Sequence, residues 1–208
     1  MKLAKLILAS SLVASCAFAE GVFVGVVGGY DYTYKLSGEG ADEELDGKNP
    51  VIGIKAGYDF GNFRAYAGYN YKIKGTYYDE VFQGYDEKTE ISAHELLIGA
   101  DWTPSLNENL KLAVGPYIGY SRLNIDDKGV WVTNGPNGTI VPTGETYDDS
   151  YSINGFLVGA KLGIIYNLGV GEFEAGIKTD YAWYKETSEV VAIDTGTIGG
   201  YIGYNFKF

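Results

Sequence analysis

A period-two alternation of apolar and polar side chains recurs along almost the whole chain and limits the folds open to it. Between residues 197 and 208 the odd positions are small or polar, and the even positions are Ile198, Gly200, Ile202, Tyr204, Phe206 and Phe208. Successive side chains of a β-strand point to opposite faces, so this segment predicts a strand with one apolar face. Similar segments recur without a long helical pattern between them. The sequence therefore predicts an all-β fold, a closed antiparallel eight-stranded transmembrane up-and-down β-barrel.

The aromatic end of this last segment carries a family resemblance. The alternating Tyr204, Phe206 and Phe208 resemble the C-terminal assembly signal of bacterial outer-membrane proteins, whose last strand ends on an outward aromatic side chain. In pattern, residues 20–208 resemble the small eight-stranded barrels of the OmpA transmembrane domain and OmpX type, the outer membrane protein β-barrel domain family. The resemblance implies a monomer in the outer membrane of a Gram-negative bacterium, where the outer-membrane assembly machinery inserts the chain.

The N-terminal segment predicts export. Two lysines precede an apolar core at residues 6–13 and the triplet Ala17-Phe18-Ala19. A positive start, a short apolar core and a small-x-small cleavage site are typical of a secretory signal peptide. Cleavage after Ala19 would divide the chain into a signal peptide, 1–19, and a barrel domain, 20–208.

A second kind of processing also fits the leader. The segment Val13-Ala14-Ser15-Cys16 resembles a lipoprotein processing box in which Cys16 carries the lipid. The charged and apolar parts of the leader are common to both patterns, so the sequence leaves the two open. Both predict an exported protein.

The composition agrees with a membrane barrel and argues against several other classes. Thirty glycines and nineteen tyrosines stand against one methionine; tyrosines suit the two membrane interfaces, and glycines leave room in a narrow lumen. The formal net charge of −11 argues against a nucleic-acid partner, which would need a basic patch. No phosphate-binding glycine loop and no Cys/His cluster appears. We therefore expect no catalytic, cofactor-binding or metal-ligating residues.

The alternation gives approximate strand positions. The expected strands cover 21–35, 51–60, 63–74, 91–102, 110–120, 153–167, 173–184 and 197–208. Short turns are expected at 61–62, 103–109 and 168–171, and longer polar loops at 37–49, 75–90, 123–150 and before the last strand. Within 123–150, the run from Asn134 to Gly138 predicts the tip of a hairpin that extends beyond the membrane. Pro116 lacks a backbone donor, so we expect a bulge or a weak pairing beside it.

A membrane helix is the competing interpretation of the sixth segment. Gly155, Gly159 and Gly163 are spaced by four residues, as in the small-residue face of paired membrane helices. The apolar stretch is shorter than the roughly twenty residues that a spanning helix needs, and it contains Lys161. In a strand, these four residues all face the lumen, so the strand is favoured.

The inward positions predict a network of charges in the lumen. Its expected members are Asp31, Lys55, Asp59, Arg64, Lys72, Glu95, Asp101, Lys111, Lys161, Glu174, Lys178 and Asp180, with Lys74 and Lys207 also inward. Buried charges persist when they are paired, so we expect most of them to be matched. An eight-stranded barrel is only just wide enough for its own side chains. The network is thus expected to plug the lumen, and a narrow ion-conducting pore is the alternative.

The predicted loops hold most of the acidic residues. The simple interpretation is that these residues form a solvated acidic rim. A more specific hypothesis is that the loop carboxylates bind divalent cations that are shared with lipopolysaccharide. The family resemblance implies a structural or surface-interaction role: membrane integrity, or adhesion or defence through the acidic extracellular loops. The expected partners are outer-membrane lipid, lipopolysaccharide and an extracellular molecule that contacts the loops.

One pair of residues raises an enzymatic alternative. His94 is the only histidine, and Ser92 lies two residues before it on the same face of the fourth strand. A histidine that polarises a serine is the minimal nucleophile pair, although no carboxylate partner can be assigned. The arrangement is faintly similar to that of outer-membrane enzymes that deacylate lipid A. A lipid A hydrolase that uses Ser92 and His94 is therefore the enzymatic alternative.

Overall fold

The computed structural model describes residues 21–38, 47–82, 85–135, 139–186 and 191–208. These residues form eight antiparallel strands that close into one barrel, each pairing with the next in the chain and β1 pairing with β8. The strands are β1 (Val22–Gly38), β2 (Gly47–Asp59), β3 (Phe63–Phe82), β4 (Tyr85–Trp102), β5 (Leu110–Asn134), β6 (Ile140–Asn167), β7 (Gly171–Tyr184) and β8 (Ile193–Lys207). The signal-peptide and Cys16 predictions fall on residues outside this description.

The strands place apolar side chains outside and polar side chains inside. On β2, Ile54 is 60% exposed, whereas the neighbouring Lys55 is buried. This arrangement is the reverse of that in a soluble protein, and it suits a barrel in a lipid bilayer. Lipid covers the apolar exterior, and closure of the sheet pairs the backbone groups of every strand. Among the described residues, no helix is both long enough and apolar enough to cross a membrane. Gly155, Gly159 and Gly163 lie in β6, so the helical alternative is wrong.

Aromatic side chains bound the apolar exterior at two levels. One end of the barrel carries the short turns together with Gly21 and Phe208, and we call it the turn end; the other is the hairpin end. The turn-end girdle comprises Phe60, Phe63, Trp102, Tyr166, Phe173 and Phe206. The hairpin-end girdle comprises Tyr30, Tyr69, Tyr120, Phe156 and Trp183. Paired aromatic belts of this kind flank the lipid-facing band of membrane barrels.

The short turns follow the predicted positions. Gly61 has a φ of +91°, and its amide donates a hydrogen bond to Asp59 Oδ1 at 2.7 Å. Gly169, with a φ of +84°, donates in the same way to Asn167 Oδ1 at 2.8 Å. Both turns combine an Asx side chain with the left-handed backbone that favours glycine. The predicted turns at 61–62 and 168–171 are therefore confirmed, with β7 already beginning at Gly171.

Two of the predicted loops are wrong, because strands occupy most of them. β3 continues to Phe82 and β4 begins at Tyr85, so the segment 75–90 is mainly a hairpin. β5 and β6 are likewise paired out to Asn134 and Ile140, which leaves only the expected hairpin tip of the segment 123–150, and residues 136–138 of that tip are outside the described part. Beyond the membrane both faces of a strand meet water, so the apolar alternation that identifies a strand disappears.

Pro116 interrupts the pairing without producing a bulge. It pairs with Ala160 in the regular register between β5 and β6. Between β4 and β5, the paired positions pass from Gly99 with Tyr117 to Trp102 with Val114, with no change of register. Of the two expected outcomes, a bulge or a weak pairing, the weak pairing is the one observed, and it agrees with the missing proline donor. The register shifts between β1 and β8, β3 and β4, and β5 and β6 all lie toward the hairpin end.

Candidate functional site

Glu174 is the centre of a charged layer near the turn end of the lumen. Its side chain is fully buried, and its carboxylate accepts hydrogen bonds from Lys55 at 2.7 Å and from Arg64 at 2.9 Å. Lys161, Tyr201 and Asn205 also donate to it, at 3.1 to 3.2 Å. One carboxylate on β7 therefore joins donors from β2, β3, β6 and β8.

Two further carboxylates complete this lower layer. Asp101 lies 3.1 Å from Arg64 and 2.9 Å from Lys161. Glu172 lies 3.5 Å from Arg64 on its other side. Three cations thus face three carboxylates, and the formal charges cancel. Because an unpaired buried charge is very costly, this balance explains how so many ionised groups can occupy a narrow lumen.

A smaller group of ion pairs closes the turn end itself. Asp59 lies 2.8 Å from Lys207 and 3.5 Å from Lys111. Lys207 also contacts Glu172 at 3.0 Å, which links this group to the lower layer. The ion pairs therefore join β2, β5, β7 and β8 across the turn end of the barrel.

An upper layer lies nearer the hairpin end. Lys72 is its centre and contacts Glu95 at 2.9 Å, Asp31 at 3.3 Å and Asp180 at 3.5 Å. Lys178 lies 2.8 Å from Asp31. Each of the twelve lumen residues expected from the sequence takes part in at least one of these ion pairs, within one of the two layers or at the turn end. The inward prediction for Lys74 is wrong: a register shift between Lys72 and Gly75 leaves its side chain half-exposed, where it pairs with Glu90 and Asp126.

A small cavity of 60 Å³ separates the two charged layers. Tyr66, Tyr117 and Tyr201 line it together with Leu97, and its walls are mostly apolar. The Lys161 ammonium lies 4.4 Å from the centre of the Tyr66 ring, and Tyr117 donates a hydrogen bond to Asp180 at 3.1 Å. The tyrosines therefore hold charged groups of both layers and keep the space between the layers narrow.

An apolar cluster fills the lumen beyond the upper layer. We call this cluster the outer seal, and it comprises Ile91, Ala93, Leu123, Ile125, Ile153, Ala182, Tyr184 and Ile193. Ile153 is completely buried in it. A cavity of only 20 Å³ lies between the seal and Lys72. Charged and apolar barriers therefore stand in series along the lumen.

Sequence reasoning missed two parts of this arrangement. Glu172 is not among the expected lumen residues, because the expected seventh strand begins only at Phe173, although Glu172 lies on the same side of β7 as Glu174. The outer seal was missed because inward positions were expected to be polar, as they are in the lower lumen. Its signal was present in the sequence: Ile153 and Leu157 lie on the same side of β6 as the inward Lys161.

The proposed nucleophile pair is not in contact. His94 is on the exterior, where its Nδ1 lies 2.7 Å from the Tyr69 hydroxyl and its ring stacks on Tyr71 at 4.8 Å. The Ser92 side chain is buried, and within the described part of the chain no hydrogen bond joins it to His94. The geometry thus assigns the histidine to an aromatic cluster on the barrel wall. The described residues also contain no group of three or more acidic, histidine or cysteine side chains placed to hold a metal ion.

The residues of the assembly-signal prediction line the exterior at the turn end. Phe206 and Phe208 are exposed, and the Tyr204 and Phe206 rings are 4.7 Å apart in an edge-on arrangement. Phe206 also pairs in register with Val24 of β1. These aromatics therefore lie beside the seam where the first and last strands close the barrel.

The architecture is similar to that of two solved bacterial proteins. The crystal structure of Neisserial surface protein A aligns with a TM-score of 0.54 and 16% identity over 91% of this chain and 98% of that one. Ail of Yersinia pestis, solved with the heparin analogue sucrose octasulfate, aligns with a TM-score of 0.53 and 16% identity over 90% and 100% of the two chains. No family model and no curated protein matches the sequence. The strand ring and these likenesses confirm the predicted fold, a small eight-stranded outer-membrane type of barrel.

Proposed function

We propose that the protein is an integral outer-membrane protein of a Gram-negative bacterium, exported through its signal peptide, with a structural and surface-interaction role. The band of exposed apolar side chains between the two girdles supports this location. Residues such as Ile52, Ile98 and Phe156 are more than half exposed there, and only a lipid environment makes so large an apolar surface favourable. In this location the turn end faces the periplasm and the hairpin end faces outward.

The series of barriers in the lumen favours a plug over a pore. Ion passage would require the lower layer, the upper layer and the outer seal to open together. The seal is apolar apart from the Tyr184 hydroxyl, which is already hydrogen-bonded to the Ser121 hydroxyl, so it offers little to replace the hydration shell of an ion. The barrel is thus a closed membrane anchor, and its role depends on what it presents at the surface.

The observation that carries the surface role is the outer strand edge of the β5–β6 hairpin. β5 and β6 remain paired from the barrel out to Asn134 and Ile140, but β7 pairs with β6 only from Gly155 onward. In the described part of the chain, residues 141–150 therefore present a strand edge with no neighbouring strand on the β7 side, about 30 Å long at about 3.3 Å per residue. An open edge can accept a strand from another molecule. The exposed Trp131, Val132 and Ile140 near the tip add apolar contact area.

Acidic side chains surround this edge and restrict the partner. Asp148, Asp149 and Glu145 lie along β6 near its outer part. They favour a partner whose contacting segment carries positive charge, because like charges would repel. The proposed role is adhesion or defence through such an extracellular partner.

The location is tested by expressing the full chain in a Gram-negative host. We expect the protein in the outer-membrane fraction, with protease added to intact cells cutting only the hairpin-end segments. Recovery in the soluble fraction without detergent would contradict the proposal.

The surface role is tested by shortening one hairpin at a time. One variant replaces residues 129–147 by an Asn-Gly turn, which joins the register pair Lys128 and Asp148. The matched control shortens the β3–β4 hairpin to its pair Asp79 and Lys88. We expect cells that carry the first variant to lose adhesion to cultured epithelial cells, while the control retains it. Equal adhesion of both variants, with both inserted, would refute the assignment to the β5–β6 hairpin.

A further inference from the structure

A row of polar side chains crosses the barrel exterior just above the hairpin-end girdle. The register aligns Tyr71, His94, Arg122 and Asn154 on neighbouring strands β3 to β6. His94, Arg122 and Asn154 are exposed on the outer wall. The Lys185 amide donates a hydrogen bond to the Asn154 carbonyl at 3.2 Å, which extends the row toward β7. Side chains directly opposite on paired strands lie about 5 Å apart at Cβ, so the three exposed groups form one surface.

Arg122 is the charged member of this surface, and it has no acidic partner in the described part of the chain. The lysines farther out differ in this respect, because Lys74 pairs with Asp126 at 2.6 Å and Lys128 pairs with Asp148 at 2.9 Å. The guanidinium is therefore available to an external anion. Its planar fork of donors suits the oxygens of a phosphate group.

An apolar groove begins directly below the row. Its volume is 570 Å³, and its walls include Leu96, Ile98, Tyr120, Phe156 and Val158. The small side chain of Ala67 leaves it open toward β3. A second hollow of 300 Å³ shares Ile98 and Ile118 with it and continues to Ala100 and Pro116. From Leu96 to Ala100 the two hollows cover roughly 13 Å along β4.

We infer that this row and groove bind a phosphate-bearing lipid of the outer leaflet. In this site the Arg122 guanidinium contacts the phosphate, with the Asn154 amide and the His94 ring beside it, and one acyl chain lies in the groove. The inference rests on the proposed membrane location, and it specifies which lipid contact the barrel makes. An unpaired cation directly above an apolar groove matches a lipid phosphate above its acyl chain, whereas the nearby carboxylates that a second copy would offer, Glu90 and Asp126, already pair with Lys74.

The headgroup contact is tested with Arg122→Gln. Lys48→Gln is the matched control, since Lys48 is also exposed on the outer side of a strand, here β2, and has no ion pair in the described part. The proteins are refolded in zwitterionic detergent micelles, and lipid A binding is measured by native mass spectrometry and by titration. We expect Arg122→Gln to bind lipid A about tenfold more weakly than the wild type, because hydrogen bonds to charged groups are worth about that factor. Lys48→Gln should bind as the wild type does.

The acyl groove is tested separately with Ala67→Phe, which should fill it. Ala175→Phe is the matched control, as Ala175 lies on the outer face of β7 between Ile164 and Ile202 and lines neither hollow. We expect Ala67→Phe to reduce lipid A binding severalfold and Ala175→Phe to leave it unchanged. Inorganic phosphate alone should bind far more weakly than lipid A, because it cannot use the groove.

Each outcome separates this inference from the proposed function. Heat-modifiable gel mobility and β-type circular dichroism first establish that every variant has inserted. If the wild type fails to insert, the proposed membrane role fails. If all proteins insert and Arg122→Gln binds lipid A as tightly as Lys48→Gln, the lipid site is refuted and the membrane role stands. Detergent-resistant dimers that Ala67→Phe abolishes would instead assign the groove to a second copy of the chain.

Discussion

Single side chains in the lumen can contribute strongly to the stability of the barrel. Glu174 is the clearest case, because its carboxylate is shared by Lys55, Arg64 and Lys161, three cations that would otherwise repel one another. Without it, buried positive charge would remain with too few partners, and water cannot easily reach the site. The layer is thus stable as a unit, and its members are not interchangeable.

We expect Glu174→Gln to lower the free energy of unfolding by about 3 to 5 kcal/mol, because it leaves an uncompensated buried charge at constant side-chain volume. Urea unfolding in micelles, followed by tryptophan fluorescence, measures the change. Glu145→Gln, at an exposed position of β6, is the control and should change stability by less than about 0.5 kcal/mol. A Glu174→Gln protein as stable as the control would contradict the account of the lower layer.

A lumen glycine and a glycine on the outer face provide a second test at this scale. A Cβ added to Gly159 in the lumen would meet the Tyr117 ring, whereas one added to Gly28 on the outer face of β1 would meet open space. We expect Gly159→Ala to cost about 1 to 3 kcal/mol through overpacking, and Gly28→Ala to be nearly neutral. The same unfolding measurement compares the two variants. Equal costs would show that the Tyr117 ring moves aside freely.

At the level of the strands, the sequence predicts the parts inside the membrane better than the parts beyond it. β3 was expected to end near Lys74 but reaches Phe82, and β6 begins 13 positions before the expected Ile153. Inside the bilayer, lipid and lumen impose opposite polarities on alternate residues. Outside it, water lies on both sides, and the strands persist through backbone pairing that leaves no compositional trace.

In the lumen, the sequence likewise predicts which charged residues point inward, but it does not predict which of them pair with each other. The charged lumen positions could be predicted because a charge on the lipid face would be costly, so alternation alone assigns Lys55 or Asp180 to the interior. Which cation meets which carboxylate depends on the stagger between strands on opposite sides of the barrel, as in the contact between Lys55 and Glu174. No short-range pattern encodes that stagger, and the outer seal depends on it as well.

The ion pairs at the base of the β5–β6 hairpin predict that the stability of this hairpin depends on pH. Hydrogen bonds from Lys74 and Ser150 hold the pKa of the Asp126 carboxyl below its ordinary value, and Lys88 does the same for Glu90. A carboxyl group with a lowered folded pKa stabilises the fold above its unfolded pKa, near 4, and this stabilisation is lost as the pH falls through the folded value. The hairpin should therefore loosen below about pH 4.

Amide hydrogen exchange along residues 123–150 measures this effect. Between pH 6 and pH 3 we expect protection, corrected for intrinsic exchange, to fall by no more than roughly fivefold, because partly exposed ion pairs contribute at most about 1 kcal/mol. Asp126→Asn should already show the lower protection at pH 6 and should change less on acidification. A decrease of the same size in both proteins would exclude Asp126 as the cause.

For the molecule as a whole, the lumen barriers act in series, so removing one should leave the others closed. We expect the wild type to show no steady conductance in planar bilayers. Arg64→Gln should also remain closed, because the outer seal around Ile153 is untouched by that change. Steady single-channel steps from the wild-type protein would favour the narrow pore. Steps that appear only in Arg64→Gln would show that the lower layer alone closes the lumen.

The seam between β1 and β8 bears on how such a molecule can come into being. Residues from Phe23 to Gly38 are matched along their length by residues from Lys207 back to Ile193, so the two most distant strands of the chain are immediate neighbours. Until they meet, each has a row of amide and carbonyl groups that acyl chains cannot satisfy. During insertion, the unpaired edges of β1 and β8 must therefore be kept away from the acyl chains until they pair. A polypeptide that lacked β8 could not close the barrel and would have no stable form in a bilayer.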